Sequence, residues 1–415
     1  MTASPWRPAD PLADDLLQRW RQVGFDEAPF PELASEVLRE HALHEVFDLD
    51  EALGGLLAAE EIPRQELPQD LGGLMTLTVA RRPRLVVELL FWSEASMTVH
   101  DHTFAGAFQV VWGSSLHARY RFTEERRLSS QLRLGRTDLV SAERFARGAV
   151  QPVHSGPDYI HSLFHLDHPS VSLLVRTQRE LATPPLRYLP PHFAADPLDR
   201  PQRVRKQVQA LRLLHRLDPG RFLRALCQRV ATDDFQPAFA ILTEVVDLLA
   251  DDGALAAVLD ALATRHDPDR VRRVGETLDE EIRQLNLKQR RAAIRDPGHR
   301  FLLALLLNLP SREPILRMVA EIAPGAPPID TVLQWLEELA EVPSLLPDEP
   351  NALGIELDEV TLLVLRGLLE GGDLPGILAR LGEEYDPAEV AAQADDIAEL
   401  CAALRESRTL RTLLA

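Results

Sequence analysis

The sequence predicts an α+β protein in which a β-barrel with an N-terminal helical flank is followed by an all-α C-terminal domain. Three observations predict this fold class. Residues 74–176 contain short runs of Val, Leu, Phe, Thr and Tyr, typical of strands. Nearly every segment before about residue 60 and after about residue 200 is instead apolar at helical spacing. A proline-rich segment separates the strands from the later helices.

The helical flank comes first in the chain. Residues 10–23, 31–43 and 48–60 each have apolar side chains at helical spacing and a Pro or an Asp near the start, as helix N-termini do. The strands follow, in the runs LMTLTVA, RLVVELLFW, MTVHDH, AFQVVWG, HARYRF, YIHSLFHL and SVSLLVRT. Short strands at turn-like intervals indicate an all-β barrel or sandwich.

The proline-rich segment, TPPLRYLPPHFAADPLDRP at residues 183–201, would stop both a helix and a central strand. Because 415 residues exceed the usual size of a single core, we expect two domains. Residues 1–195 would form the barrel with its helices, and residues 196–415 an all-helical domain. The later helices show no fixed period, so an irregular bundle and a degenerate solenoid both stay open. We expect this domain to cover the barrel or to dock a protein partner.

Composition argues against several classes of protein. The net charge of −19 disfavours a nucleic-acid or anionic-membrane surface, which needs clustered Lys and Arg. Most of the acidic excess lies in residues 321–415, which contain 20 acidic and 5 basic residues. No run approaches the roughly 18 apolar residues of a spanning helix, and residues 1–19 lack the apolar core of a signal peptide. We therefore expect a cytoplasmic protein that binds neither membranes nor nucleic acids.

Histidines are concentrated in the predicted strands, where 7 of the 13 lie between residues 100 and 168. Successive side chains of a strand point to opposite faces. In VHDHT, the imidazoles of His100 and His102 therefore share a face, and Asp101 points away. Two neighbouring imidazoles can fill two cis positions of an octahedral metal ion. A metal site at this strand is therefore one interpretation of the pattern.

A later strand supplies the third candidate ligand. In YIHSLFHL, His161 and His165 share a face, and a barrel can bring this strand beside the first pair. One of the two can then complete a set of three nitrogen ligands. The simpler alternative is that each is a hydrogen-bonded core or rim residue, and this alternative is favoured for His165 over His161.

Two stretches of the sequence are VHDHTFAGAFQVVWG, residues 99–113, and IHSLFHLDHPSVSLLVR, residues 160–176. They resemble the metal-binding motifs of cysteine dioxygenase and related thiol dioxygenases of the cupin superfamily, and the match covers about a quarter of the chain. The resemblance implies a small barrel with one non-haem iron(II) ion held by three histidines. The positions that match those ligands are His100, His102 and His161.

The sequence departs from the family at two places. Most cupins have a metal-binding glutamate four or five residues after the second histidine, where this chain has Gly106 and Ala107. The absence of that glutamate fits the three-histidine subclass. The Ser-x-His-x-Tyr triad of the thiol dioxygenases falls on Ser172, Leu174 and Arg176, so only the serine is kept.

The resemblance implies a dioxygenase. In that family the iron binds the sulfur of a small thiol together with dioxygen, and both oxygen atoms are transferred to sulfur to give a sulfinate. Three neutral ligands leave the metal its double positive charge, so a thiolate or another small anion is favoured as a further ligand. The implied cofactor is Fe(2+), and the reactants are O2 and a small-molecule substrate.

Further residues are candidates for the chemistry around the metal. Arg176 or Arg81 can pair bidentately with an anionic group of the substrate. His165 can act as an acid or base close to the metal. The aromatic residues available to line the cavity are Tyr159, Tyr120 and Phe104. The candidate catalytic residues are Arg176, His165 and Tyr159, and the candidate substrate-binding residues are Arg81 and Ser172.

Two other functions stay open. One is a non-catalytic cupin that binds a metal or small ligand and docks a partner through the helical domain. The other is a different three-histidine oxygenase, for example one that cleaves a carbon–carbon bond. Motifs of nucleotide cradles, serine hydrolases and zincins (GxxxxGK[ST], GxGxxG, GxSxG and HExxH) are absent.

Overall fold

A computed structural model describes residues 9–65, 74–93, 96–178, 185–197, 201–291, 293–345 and 349–415. It confirms the predicted fold class, because the strands lie in the N-terminal half between short N-terminal helices and a long helical region. The chain divides into two compact units, residues 1–278 and 279–415. The last strand ends at Ala195, where the sequence places its domain boundary, but that boundary stays a prediction.

The helical flank consists of four helices, and their bounds are α1 Ala9–Gln22, α2 Phe30–His41, α3 Leu43–Val46 and α4 Leu49–Ala58. The first two bury one apolar face each, which includes Leu16 and Trp20 of α1 and Phe30 of α2. These side chains form one core with one face of the first β-sheet. Burial of apolar surface thus fixes the flank on the strands.

The described residues form eleven strands, and their bounds are β1 Leu74–Arg81, β2 Leu85–Trp92, β3 Ser96–His102, β4 Gly106–Trp112, β5 Ser115–Arg127, β6 Leu132–Phe145, β7 Val150–Val153, β8 Gly156–His165, β9 Ser170–Thr177, β10 Arg187–Leu189 and β11 Phe193–Ala195. Sheet A has the antiparallel order β1-β2-β9-β4-β7. Sheet B closes into a six-stranded barrel in the order β10-β11-β6-β5-β8-β3.

Alternate residues of β8 show which face of sheet B meets sheet A. Tyr159 and Leu163 pack in one cluster with Phe108 of β4 and Leu174 of β9, so they face sheet A. Ile160 belongs to a separate cluster formed by residues of sheet B and the segment before β10. Because side chains alternate along a strand, His161 lies on the same face as Tyr159 and Leu163. It therefore projects into the space between the two sheets.

Beyond residue 201 the described chain is helical, and the helices are α5 Gln202–Leu217, α6 Pro219–Thr232, α7 Phe235–Glu244, α8 Asp252–Ala263, α9 Pro268–Arg291, α10 Pro297–Asn308, α11 Arg312–Ile322, α12 Pro328–Ala340, α13 Glu359–Leu369, α14 Leu374–Glu384, α15 Pro387–Ala392 and α16 Ala394–Glu406. Aspartates accept backbone N–H hydrogen bonds at several N-termini, for example Asp218 before α6 and Asp358 before α13. Among the described residues, no helix has both the length and the apolar character needed to cross a membrane.

Candidate metal centre

Three imidazoles converge between the sheets. His100 of β3 lies directly opposite His161 of β8, and the centroids of their rings are 4.6 Å apart. The ring of His102 is 4.7 Å from that of His100 and 5.0 Å from that of His161. One nitrogen of each ring lies within 4.8 Å of the other two. These three histidines are therefore a group that could hold a metal ion.

Asp101, between the two histidines of β3, points to the opposite face as expected. Its carboxylate accepts hydrogen bonds from the backbone N–H of Leu186 at 2.7 Å and from the Tyr188 hydroxyl at 2.9 Å. Burial raises the pKa of Asp101, although these hydrogen bonds oppose the effect. The carboxylate therefore ties β3 to the segment that contains β10 and does not join the histidines.

The chemistry of the donor set fits a divalent metal. Burial lowers the pKa of His100. It lowers the pKa values of His102 and His161 well below their usual range, and repulsion from neighbouring cationic side chains lowers them further. The rings are thus neutral near pH 7. A carbonyl oxygen only accepts hydrogen bonds, so Nδ1 of His100 donates to the Thr98 carbonyl at 2.7 Å. Its Nε2 is then the unprotonated nitrogen, as a metal ligand must be.

A fourth histidine of this cluster was not singled out from the sequence. His117 of β5 is 2% exposed, and its Nε2 lies 2.9 Å from Nδ1 of His161. Burial lowers the pKa of His117 to about 3, so this ring is neutral as well. The alternation of His117 and Arg119 in the strand run HARYRF was the available signal. Its meaning depended on knowing that β5 pairs with β8.

Tyr159, a predicted catalytic residue, is fully buried beside the histidines. Its ring centroid is 4.8 Å from that of His161, and its hydroxyl lies 3.0 Å from Nε2 of His117. Burial raises the pKa of Tyr159 far above its usual range, so the phenol stays protonated. Nε2 of His117 also contacts Nδ1 of His161 and has one lone pair, so it can accept from the Tyr159 O–H or from His161, but not from both at once.

Arg176, a predicted catalytic residue on β9 of sheet A, forms an ion pair with a carboxylate. Its Nε donates to Glu88 at 2.7 Å and its Nη2 to the second oxygen of that carboxylate at 3.3 Å. The guanidinium also lies 5.5 Å from the ring centroid of Phe104, which packs 4.6 Å from the ring of His102. Arg176 therefore lies near the cluster with its charge already balanced by Glu88.

Ser172 and His165 are two further predicted site residues. Ser172 is buried on β9, four residues before Arg176 and on the same face of sheet A. His165 stacks on Trp92 with 4.3 Å between ring centroids, and its Nδ1 is 2.6 Å from the Ser170 hydroxyl. The group of converging nitrogens does not include it.

Two further candidates from the sequence are placed away from the imidazoles. Arg81 ends the edge strand β1 opposite Val86, and Val86 is opposite Arg176 on β9. Arg81 therefore lies two strand spacings, about 10 Å, from Arg176 across the sheet. Tyr120 packs with Val99 and Ile160 on the other face of sheet B, so it does not line the space that contains the histidines.

The fold explains why no glutamate accompanies the histidines. A Cβ atom at Gly106 would collide with the carbonyl oxygen of Val175 on the neighbouring strand β9. The next position, Ala107, is fully buried in the core between sheet A and the N-terminal helices. A carboxylate at residue 106 would therefore not fit, and one at residue 107 would point away from the metal-binding face.

The class of protein that the fold and site define is a β-barrel protein with a candidate three-histidine metal centre. No family model matches the chain, and no curated protein is similar to it. Among solved structures, a cupin superfamily protein from Desulfitobacterium hafniense is 10% identical, with a TM-score of 0.18, over 28% of this chain and 94% of that one. With so low a TM-score, this likeness supports no argument about the chain.

Two solved enzymes are similar at the same level. A DMSP lyase from Ruegeria pomeroyi is 15% identical, with a TM-score of 0.22, over 44% of this chain and 98% of its own. An oxalate oxidase is 16% identical, with a TM-score of 0.22, over 40% of this chain and 79% of its own. The functional argument therefore depends on the residues of this chain.

Proposed function

We propose that the barrel is a mononuclear iron(II) dioxygenase that uses O2 on a small thiol or another small anionic substrate. The single observation that supports this most is the convergence of three neutral imidazoles, with nitrogens within 4.8 Å of one another and no carboxylate in the group. Such a set suits a divalent transition metal and leaves its charge undiminished. When bound, iron(II) would supply binding sites for an anion and for dioxygen.

The residues of the chain would bind and orient that ion. His100, held by the Thr98 carbonyl, presents Nε2, and His102 and His161 bring their Nε2 atoms to 2.8 Å of each other. In the absence of metal, one of these two nitrogens must carry a proton for that contact to be a hydrogen bond. Metal binding would therefore require the ring that carries this proton to hold it on Nδ1 instead, so that both Nε2 atoms can donate lone pairs to the ion.

Apolar side chains pack around the histidines, and a proton donor lies nearby. Phe104, Phe108 and Leu174 cover the histidine face of sheet B, and Tyr159 is fully buried beside His161. The family resemblance implies a tyrosine–histidine relay on one strand, and its positions here are Leu174 and Arg176. A tyrosine–histidine hydrogen bond is nevertheless present between Tyr159 of β8 and His117 of β5. Tyr159 would keep its phenolic proton close to the site, because burial disfavours the phenolate.

The helical region would have a separate role. We propose that it docks a protein partner, because it contains no group of metal-binding side chains among its described residues and 20 acidic residues against 5 basic ones after residue 320. A basic partner would complement this charge. The boundary of such a domain near residue 196 is part of the same proposal.

Oxygen uptake tests the enzyme proposal directly. The protein would be purified from iron-supplemented cells, analysed for metal, and assayed in an oxygen electrode with cysteine, cysteamine and 3-mercaptopropionate. We expect one iron per chain and substrate-dependent oxygen consumption with a sulfinate product. Stoichiometric metal without oxygen uptake for any substrate would support the non-catalytic alternative. Uptake without sulfinate would instead favour a different three-histidine oxygenase.

A further inference from the structure

Helices α5 and α6 form a basic surface on a protein whose net charge is −19. Residues 202–232, which contain both helices, include eight Lys or Arg residues and a single acidic residue, Asp218. Arg212 and Arg229 are balanced by ion pairs with acidic neighbours. Five further cations are exposed and form no salt bridge among the described residues, and they are Arg205, Lys206, Arg216, Arg221 and Arg224. The two helices therefore present uncompensated positive charge to solvent.

An apolar stripe lies on the solvent side of α5, between these cations. Ala210, Leu213 and Leu217 are three and four positions apart, so they follow one another along one side of the helix, away from the buried Val204 and Val208. Leu213 and Leu217 are 58% and 69% exposed. Lone exposed leucines are common, but neighbouring leucines within a charged rim are typical of protein contact sites. The stripe and the five cations together form the basic face.

A surface of opposite charge lies near the C-terminus. Residues 383–399 contain seven acidic residues and no Lys, Arg or His. They belong to α14, α15 and α16, which pack against one another. All seven acidic residues are exposed, and none forms a salt bridge among the described residues. Exposed alanines of α15 and α16 lie beside them, and they are Ala391, Ala392, Ala402 and Ala403. This acidic face offers carboxylates for cations and small apolar side chains on which leucines can pack.

We propose that the chain self-associates, with the basic face of one copy docked on the acidic face of a second copy. This inference rests on the proposed function of the helical region, which is to dock a basic partner, and it names that partner. Charge complementarity favours a second copy, because each face has the charge that the other lacks. The net charge of −19 disfavours a nucleic acid on the basic face, since the rest of the chain would repel its phosphates. Packing of Leu213 and Leu217 on the alanines would add burial of apolar surface.

Sedimentation equilibrium of the full-length protein tests the proposal. The mass would be measured over a range of protein concentrations at low and at high salt. We expect the wild type to reach the mass of two chains or more at low salt. High salt should raise the dissociation constant by about tenfold or more, because ions screen the charges of both faces. The mass of a single chain at every concentration would overturn the proposal.

Charge reversal tests which faces meet. R216E/R221E makes the basic face acidic, and E384K/E389K makes the acidic face basic, so each variant alone would bring like charges together. We expect each to associate at least about tenfold more weakly than the wild type. An equimolar mixture of the two variants restores opposite charges and should associate as the wild type does. Wild-type association of either variant alone, or a mixture no stronger than its components, would overturn the pairing of these faces.

Matched controls separate the basic face from general surface effects. R21E/R39E changes the net charge equally at exposed arginines of α1 and α2, and it should associate as the wild type does. L213Q/L217Q keeps every charge but removes the apolar stripe, so we expect weaker association, whereas L57Q, at a leucine 88% exposed, should change nothing. Circular dichroism would verify the fold of each variant. Should R216E/R221E not fold, wild-type association of both E384K/E389K and L213Q/L217Q would overturn the proposal.

Other occupants of the two faces give different results. A monomeric wild type that binds poly-L-lysine, but loses this binding in E384K/E389K, would still support a basic partner for the helical region and would overturn the second copy as that partner. A monomeric wild type that binds poly-L-glutamate or a DNA duplex through the basic face would assign this face to another molecule and overturn the inference. Metal content and oxygen uptake test the barrel independently of these measurements.

Discussion

Nε2 of His117 lies 2.9 Å from Nδ1 of His161, although the two residues are 44 positions apart in the chain. When His161 binds a metal through Nε2, its Nδ1 carries the proton and donates a hydrogen bond to Nε2 of His117. That hydrogen bond would fix the tautomer and the ring orientation of a metal ligand, as outer histidines and carboxylates do at many metal sites. The neutral state of His117 makes it an acceptor for this bond.

Removal of this acceptor should weaken metal binding. We expect H117L to reduce the affinity for cobalt(II) or iron(II) by about 10- to 100-fold, because His161 would lose the partner that orients it. H117Q can still accept a hydrogen bond and should lose less. Competition with a chelator of known affinity would measure both, and circular dichroism would verify the fold. Equal affinities for H117L and the wild type would show that His117 does not position His161.

Removal of a ligand should abolish stoichiometric metal binding. We expect H100A and H161A to bind less than a tenth of the wild-type metal content, roughly, because two nitrogens hold a divalent ion far less well than three. His154 provides the matched control, since its side chain is 40% exposed and lies beside Glu32. H154A should retain full metal content. Full occupancy in either ligand variant would show that the metal-binding site lies elsewhere.

Acid should destabilise the metal-free protein in a defined pH range. The four histidines have folded-state pKa values below the usual 6.5, about 3 for His117. At pH values between the folded-state pKa of a histidine and its unfolded-state pKa of about 6.5, the unfolded chain binds more protons than the folded one. The free energy of unfolding therefore falls as pH falls through this range. Each such histidine contributes up to about 1.4 kcal/mol per pH unit.

Urea unfolding from pH 8.5 to 5, with a chelator present, would measure this slope. Removing the titrating ring in H117Q should make the dependence on pH shallower than in the wild type. Above about pH 8 the two proteins should differ by a constant amount, since these histidines are then almost fully deprotonated in both states. Identical slopes below pH 6.5 would contradict a buried neutral His117.

The Glu88–Arg176 pair should matter for stability. The side chains are 8% and 14% exposed, so removal of the Glu88 charge breaks a largely buried ion pair. We expect E88Q to lower the free energy of unfolding by about 3–5 kcal/mol, and E88L/R176M to recover much of this loss. The exposed pair Arg136–Asp138 is the control, and D138N should change stability by about 1 kcal/mol at most. A small effect of E88Q, comparable to that of D138N, would mean that water reaches the pair.

Much of the site was predictable because the relevant patterns are local. The alternation in VHDHT places His100 and His102 on one face and Asp101 on the other, and the structure shows this arrangement. The prediction that His161 joins them came from the resemblance of two stretches of the chain to the metal-binding motifs of thiol dioxygenases. No comparable pattern pointed to Glu88, a single carboxylate in the apolar run LVVELLFW, or to the neighbours of His161 on β5.

The sequence alone predicted seven of the eleven described strands and the side of each strand that the histidines occupy, because side-chain periodicity depends only on the local backbone. It did not predict β6 and β7, or β10 and β11, which form barrel strands inside the proline-rich segment that was expected to stop a strand. The tertiary structure decided which strands are neighbours. That choice places His117 and Arg119 beside His161, pairs Glu88 with Arg176, and leaves no room for a side chain at residue 106. Strand order results from burial of apolar surface over the whole barrel, and no segment specifies it by itself.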